Sequence, residues 1–410
     1  MSVQPEPNDR TAMRVHPELV PAFEALPRIP DPYEDIEAAR AGFHEMLAAF
    51  PADRTGVCSD RFGIPRTGGG TRVGDGTRVG DGTLTVEVYR PEGAVGSTEP
   101  GAGQGAAQGA GAGEGGHGDA AEGTGNAGSA GSPRNASSTG STGRAGRAGN
   151  VLLPAVLHFH GGGFALGRAL PGQDRVAIEL CRTLPAVVVA VEYRLAPEHR
   201  YPAAVEDCYL ALEWVAGRAA ELGIDPARIA VAGKSAGGGL GAAVALMARD
   251  RGGPKLAFQS LCVPDLDDRV GADAAADRTA DAAVDTAADT ERALDARVLN
   301  GRGVQSSWKH YLPEGTTEAE AYAAPARATE LSGLPPAHVL VCDLDPMREA
   351  GLAYARRLMD AGVPVTVRNV PGAWHGFELY APDTRVAKEM TAHWTGQLRA
   401  ALHPASPAVV

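Results

Sequence analysis

RIAVAGKSAGGGLGAAVALMARDR, residues 228–251, reads as a short apolar strand that runs through a glycine-flanked serine directly into a long helical run. At its centre is Gly233-Lys234-Ser235-Ala236-Gly237, a G-x-S-x-G pentapeptide. Alone, such a pentapeptide arises often by chance; between a strand and a helix it has the context of a nucleophile elbow. Its glycines permit a tight turn that presents the serine hydroxyl at the carboxyl edge of a parallel sheet, where ligands of open α/β folds bind. The following helix aims its amino end, with its N–H groups and the positive end of its dipole, at the same point. The structural alternative is a glycine-rich helix start packed on the sheet.

On both sides of this stretch, short apolar runs alternate with longer helical ones. Strands are expected at 84–90, 152–160, 186–191, 228–233, 258–264, 338–343 and 365–370, and helices at 172–183, 203–222, 236–251, 347–361 and 384–402. Continuous apolar strands joined by helices indicate a mostly parallel sheet covered on both faces, a doubly wound α/β domain. Before it, PELVPAFEAL and DIEAARAGFHEMLAAF carry apolar residues at helical spacing, interrupted by the proline-rich RIPDP.

Two stretches cannot join a core. Residues 94–150 are almost wholly Gly, Ala, Ser and Thr, which offer too little apolar surface to offset the entropy of ordering them, so disorder is expected. The second places Asp273, Asp277, Asp281, Asp285 and Asp289 four apart. In a helix they would line one face and repel, and such a row lacks the convergent geometry that hard cations need, so a solvated excursion is expected. A tandem TRVGDG repeat over 71–83 is too short for a solenoid and reads as a loop or hairpin.

The net charge of −12 is clearly negative, and about half of the excess sits between Asp265 and Arg297. Nucleic acid and anionic membrane surfaces are therefore poor partners. Five widely spread cysteines, Cys58, Cys181, Cys208, Cys262 and Cys342, suggest free thiols in a reducing compartment. With no signal-like start and no apolar run of membrane-spanning length, a cytoplasmic location is expected. The oligomeric state is left open, a homodimer included.

His160-Gly161-Gly162-Gly163-Phe164 follows the strand ending near Phe159. Three consecutive glycines carry an entropic cost. An oxyanion hole explains them, since backbone without side chains lets N–H groups approach a tetrahedral oxyanion; a flexible turn is the bland reading. Serine chemistry also needs a base and an acid to orient it, in the order Ser, Asp or Glu, His. Of His375, His393 and His403, only His375 sits in a glycine-containing loop just past a strand. For the acid, Asp343 and Asp345 both leave the correct sheet edge, and spacing does not separate them; Asp345, before Pro346, also suits a helix N-cap.

Together these blocks resemble the hormone-sensitive-lipase-like family of α/β-hydrolases, bacterial esterases marked by an HGGG motif upstream of the elbow. EYRLAPEHRYPAAVEDCYLALEWV (192–215), GIDPARIAVAGKSAGGGLGAAVAL (223–246), AYAAPARATELSGLPPAHVLV (321–341) and DPMREAGLAYARRLMDAGVPV (345–365) are similar to it as well. The resemblance implies the α/β-hydrolase fold with a helical cap that includes the N-terminus. It makes Ser235 the nucleophile, Asp345 rather than Asp343 the acid, and His375 the base. Gly161, Gly162 and Ala236 become oxyanion donors, with His160 and Gly163 supporting the glycine loop. No metal or cofactor is implied.

The expected layout is cap helices and connector over 1–70, core over 71–93 and 151–263, the insertion over 94–150, cap with the Asp-rich insertion over 264–320, and core again over 321–403. Three departures from the family stand out. Lys234 replaces the usual Asp of the elbow, Glu349-Ala350 replaces a more acidic pair, and the Asp-rich insertion falls near the cap. Lys234 is outside the triad, so the chemistry is expected to survive it. The expected function is a serine carboxylesterase acting on short-to-medium acyl esters. The rivals are an amide deacetylase using the same triad and a small-molecule-binding protein on an inactive hydrolase scaffold.

Overall fold

The computed structural model describes residues 15–29, 31–48, 52–66, 82–94, 151–169, 174–271 and 297–404. The Gly/Ala/Ser-rich insertion past Ala94, most of the TRVGDG repeat and the Asp273 to Asp289 row lie outside the described residues.

Strands β1 (Val57–Pro65), β2 (Thr83–Pro91), β3 (Leu153–Phe159), β4 (Val187–Glu192), β5 (Ile224–Lys234), β6 (Phe258–Cys262), β7 (Ala337–Cys342) and β8 (Val365–Val370) form one sheet in the order β1-β2-β4-β3-β5-β6-β7-β8. Only β2 runs against the rest, pairing antiparallel with β1 and β4. From β4 to β8 all pairings are parallel. The seven strands expected from apolar runs are all present within a few residues. β1 was not anticipated and lies inside what was expected to be connector. Its sequence VCSDRFGIP is polar and mostly solvent-facing, as an edge strand tolerates, so it carries no apolar run to read.

Alternation along the central strands splits the core between two faces. Leu157, Val189 and Val231 belong to one apolar cluster together with Leu212 of α4 (Ala203–Gly217) and Val244 of α6 (Ala236–Asp250). Val156, Val188 and Ala230 belong to the other, together with Ile178 of α3 (Asp174–Thr183) and Leu398 of the C-terminal helix (Arg385–Leu402). Each fully buried Leu, Ile or Val contributes roughly 1.5–3 kcal/mol, so burial on both faces makes this sheet the rigid base of the fold. Because the parallel strands share one direction, the ends of β3, β5, β7 and β8 open at one rim. All the candidate residues follow those ends.

The N-terminal region adds α1 (Val20–Ala25) and α2 (Ile36–Ala48), with α5 (Ala219–Leu222) following α4. After β6 comes α7 (Gly301–Tyr311), then α8 (Arg348–Asp360), the short α9 (Phe377–Tyr380) and α10 (Arg385–Leu402). α7 went unread because GRGVQSSWKHY is rich in glycine and serine; its Asn300 cap accepts from the Gly303 N–H at 3.0 Å. Among the described residues no helix is long and apolar enough to cross a membrane.

Candidate active site

β5 delivers the chain to the rim and Ser235 turns it sharply, with φ 57° and ψ −126°. This is a strained conformation for a residue with a side chain, and it persists only where the surroundings hold it. They do so through the backbone. The Ser235 N–H donates to the Cys262 carbonyl at 2.9 Å, and its own carbonyl accepts from Gly238 and Gly239 at 2.8 and 3.0 Å. A Cβ at Gly233 would fall 2.3 Å from the Gly237 carbonyl oxygen, and one at Gly237 would fall 2.1 Å from that of Phe159. Both glycines of the pentapeptide are therefore required by close backbone approach.

His375 and Asp345 come to this serine from two other loops. The His375 Nε2 lies 3.0 Å from Ser235 Oγ, and its Nδ1 lies 2.7 Å from Asp345 Oδ2. The Asp345 side chain is almost fully buried and that of His375 largely so. Burial disfavours the imidazolium, but the charge and hydrogen bond of Asp345, with the charges of Glu378 and Asp265, outweigh it and raise the His375 pKa above its ordinary value.

Geometry separates the two aspartates that spacing left open. Asp343 turns away to Arg348 at 3.0 Å. Asp345 faces both ways, with Oδ2 toward His375 and Oδ1 accepting from the Met347 N–H at 2.9 Å; α8 begins at Arg348 with Met347 as its N-cap, so the cap expected at Asp345 falls two residues later. The other histidines are elsewhere. His393 lies in α10 with its ring 5.2 Å from that of His338, and His403 contacts the Leu184 carbonyl.

The glycine loop leaves β3 and rests on the elbow. A Cβ at Gly161 would meet the Lys234 carbonyl oxygen at 2.9 Å and Ser235 Cβ at 3.3 Å. Gly162 and Gly163 have φ of 130° and 56°, and Gly163 packs so closely under Tyr33 that a Cβ would lie 2.3 Å from the tyrosine hydroxyl. His160 braces the loop from behind. Its Nδ1 lies 2.9 Å from the Gly161 carbonyl, and its ring stacks on Tyr193 at 4.1 Å. The Tyr193 hydroxyl donates to the His160 carbonyl at 2.7 Å. Burial pushes the His160 pKa down to about 4, so this ring is neutral near pH 7. Ala236 is the first residue of α6, so its N–H lies outside the helix's own hydrogen-bond ladder.

Two features escaped the sequence reading. Lys234 is bound to Glu378 at 2.9 Å, with both side chains largely buried. Asp265, just past β6, is buried beside the elbow; its Oδ1 accepts from Trp308 Nε1 at 3.0 Å, and its backbone N–H reaches the Ser235 carbonyl at 3.1 Å. Burial pushes its pKa up to about 7 despite the Trp308 bond. Neither is a motif, and each joins segments whose proximity depends on strand order. Among the described residues no group of three His, Cys, Asp or Glu side chains is placed to hold a metal ion.

Comparison with known proteins agrees with this architecture. Residues 156–379 match a family described by the alpha/beta hydrolase fold. The chain is 42% identical over 255 residues to carboxylesterase NlhH of Mycobacterium tuberculosis, a match covering 61% of this chain and 75% of that one. It is 31% identical over 272 residues to the arylacetamide deacetylase of Oryctolagus cuniculus, covering 55% and 68%. Among solved structures, a bacterial heroin esterase superposes with a TM-score of 0.72 at 31% identity, covering 95% of this chain and 98% of that one. With the HGGG and G-x-S-x-G motifs at one rim of this sheet, the chain belongs to the hormone-sensitive-lipase-like family of α/β-hydrolases and is a carboxylic-ester hydrolase.

Proposed function

We propose that Ser235 is the nucleophile, His375 the general base and Asp345 the acid that orients it, acting on short-to-medium acyl esters. The observation that carries this reading is the unbroken chain Asp345 Oδ2, His375 Nδ1, His375 Nε2, Ser235 Oγ, with links of 2.7 and 3.0 Å. Ser235 Oγ adds to the ester carbonyl carbon while its proton passes to His375 Nε2. The oxyanion that forms takes hydrogen bonds from the N–H groups of Gly161, Gly162 and Ala236, each worth a few kcal/mol in a preorganised site. Collapse breaks the bond to the alkoxy oxygen, which leaves with the proton from His375. Water then repeats the sequence on the acyl-serine, giving up a proton to His375 and releasing the acid and the serine hydroxyl.

The cap we assign to the N-terminal helices and the region after β6. Its support is that the two segments interlock: His310 Nε2 of α7 lies 3.0 Å from the Tyr33 carbonyl, Ser306 donates to Asp31, and Tyr33 itself covers Gly163. The five cysteines are all free, which suits a reducing compartment and supports a cytoplasmic location.

The test is hydrolysis of p-nitrophenyl acetate and butyrate by the wild type and Ser235→Ala. The reading requires the variant to lose activity on both esters, and equal rates would end it. The likeness to an arylacetamide deacetylase favours one second reading, amide cleavage by the same residues. Comparing p-nitrophenyl acetate with p-nitroacetanilide separates the two, because faster turnover of the anilide would reverse the preference.

A further inference from the structure

The serine and histidine loops belong to strands far apart in the sheet. β5 leads to Ser235 and β8 to His375, with β6 and β7 between them. Three inter-strand spacings amount to roughly 14 Å, which the turns after β5 and β8 bridge above the ends of β6 and β7. Backbone hydrogen bonds do part of this stepwise, from the Ser235 N–H to Cys262, from Val263 to Leu340 and from Leu344 to Ala373. Side chains complete the span. One contact is the Ser235–His375 hydrogen bond at 3.0 Å. Another is the ion pair of their neighbours, Lys234 Nζ on Glu378 Oε1 at 2.9 Å.

We infer that Lys234 and Glu378 form a positioning strap that holds the histidine loop against the elbow and sets the electrostatic field on His375. The inference rests on Ser235 and His375 acting as nucleophile and base. Lys234 immediately precedes the serine and Glu378 opens the second position of α9, three residues past the histidine, so the strap fixes both partners at their roots. The lysine and glutamate side chains are only 18% and 11% exposed. Trp394 of α10 caps the ammonium, with Nζ 4.9 Å from the ring centroid.

Such a pair has little value as a stability device, because the desolvation of two charges offsets most of their attraction. What it supplies is geometry, since an unpaired charge at either position would be costly enough to forbid other arrangements of the two loops. The family's usual Asp at position 234 could not serve here, because it would face the Glu378 carboxylate.

Other charges near the strap come from several elements. Glu179 of α3 and the Cys262 thiol of β6 face Lys234, and the buried His158 of β3, held neutral with a pKa near 3, lies on the same side. Asp345, Glu378 and Asp265 face His375. Tyr380 and Cys342 lie toward Glu378, and both are held in their neutral forms chiefly by burial. Among these, Glu378 is the group that acts on both Lys234 and His375.

The experiment compares Glu378→Gln, Lys234→Met and the double variant with the full-length wild type in hydrolysis of p-nitrophenyl acetate. Misplacement of a reacting group by a fraction of an ångström predicts a loss of about tenfold or more in kcat for Glu378→Gln, with KM little changed. Removing the glutamate charge also lowers the His375 pKa, so the acid limb of the kcat/KM profile moves to lower pH. A pair acting as one unit predicts that the double variant is no worse than the worse single variant. The charge-exchanged Lys234→Glu/Glu378→Lys protein should recover part of kcat. Folded Glu378→Gln with the wild-type kcat and acid limb, or losses that multiply in the double variant, would overturn the strap. Circular dichroism guards against misfolding. A Ser235→Ala protein retaining full activity would instead indict the triad, so the two failures are distinguishable.

Discussion

Asp345 gives one carboxylate oxygen to His375 and the other to the backbone, with Oδ2 2.7 Å from the imidazole Nδ1 and Oδ1 2.9 Å from the Met347 N–H. The backbone bond fixes the carboxylate plane before any substrate arrives, and that plane fixes the ring. Asp345→Asn would keep the shape but offer His375 a different hydrogen-bond pattern, favouring the wrong imidazole tautomer. A loss of about 10⁴-fold in kcat is expected by analogy with serine-protease triads. Asp343→Asn, whose carboxylate engages Arg348 instead, should leave kcat near the wild-type value. Steady-state kinetics of the two variants side by side check the assignment, and the reverse pattern would exchange the roles.

The raised pKa of His375 has a kinetic signature. A general base must be neutral to accept a proton, so with His375 in the proposed role kcat/KM should fall as pH drops through its pKa in the free enzyme. Because Asp345 and Glu378 stabilise the imidazolium against the opposing effect of burial, the midpoint of the acid limb should lie above the ordinary histidine value of about 6.5. A pH profile with p-nitrophenyl acetate measures it directly.

Gly163 supports a steric prediction. Alanine there would hold a side chain at positive φ and drive its Cβ into the Tyr33 ring. With Gly161 and Gly162 in their proposed role, each oxyanion donor is worth about 10²–10³-fold, and displacing this loop in Gly163→Ala should cost kcat on that scale. Adding Tyr33→Ala removes the clash and leaves the backbone strain, so it should restore kcat in part. Complete failure of the double variant to improve on the single would show that strain alone governs the loop.

Asp265 predicts a pH-dependent gain in stability. Its pKa rises from an ordinary carboxylate value to about 7 on folding, so the native state binds this proton more tightly than the unfolded chain does. Stability is then lost as pH rises from about 4 to about 7, by up to roughly 4 kcal/mol before local relaxation. Asp265→Asn keeps an oxygen for Trp308 Nε1 and removes the ionisation. Urea denaturation should find the variant more stable than wild type at pH 8, and the difference should shrink at pH 4.5.

Much of this was written in the chain. The buried parallel strands carry unbroken apolar runs, and both glycine motifs sit at strand ends, so the serine turn, the HGGG loop and the His375 loop could each be placed at the rim separately. What could not be read were relations between segments. β1 hid because an edge strand needs no apolar run, and α7 because its residues are weak helix formers held by cap contacts. Asp343 and Asp345 are equivalent by spacing and differ only in which way the chain turns after β7. Lys234 looked like a departure from its family until the strand order brought Glu378 beside it.

For the proposed reaction to run, one serine, Ser235 at the turn between β5 and α6, must carry the acyl group. Titration with a fluorophosphonate followed by mass spectrometry of proteolytic peptides tests this most directly. One equivalent of label is expected on the peptide containing Ser235, with hydrolytic activity falling in step with labelling and no label on folded Ser235→Ala. Stoichiometric, inactivating label on a different residue, or an Ser235→Ala protein that still labels and turns over, would contradict it.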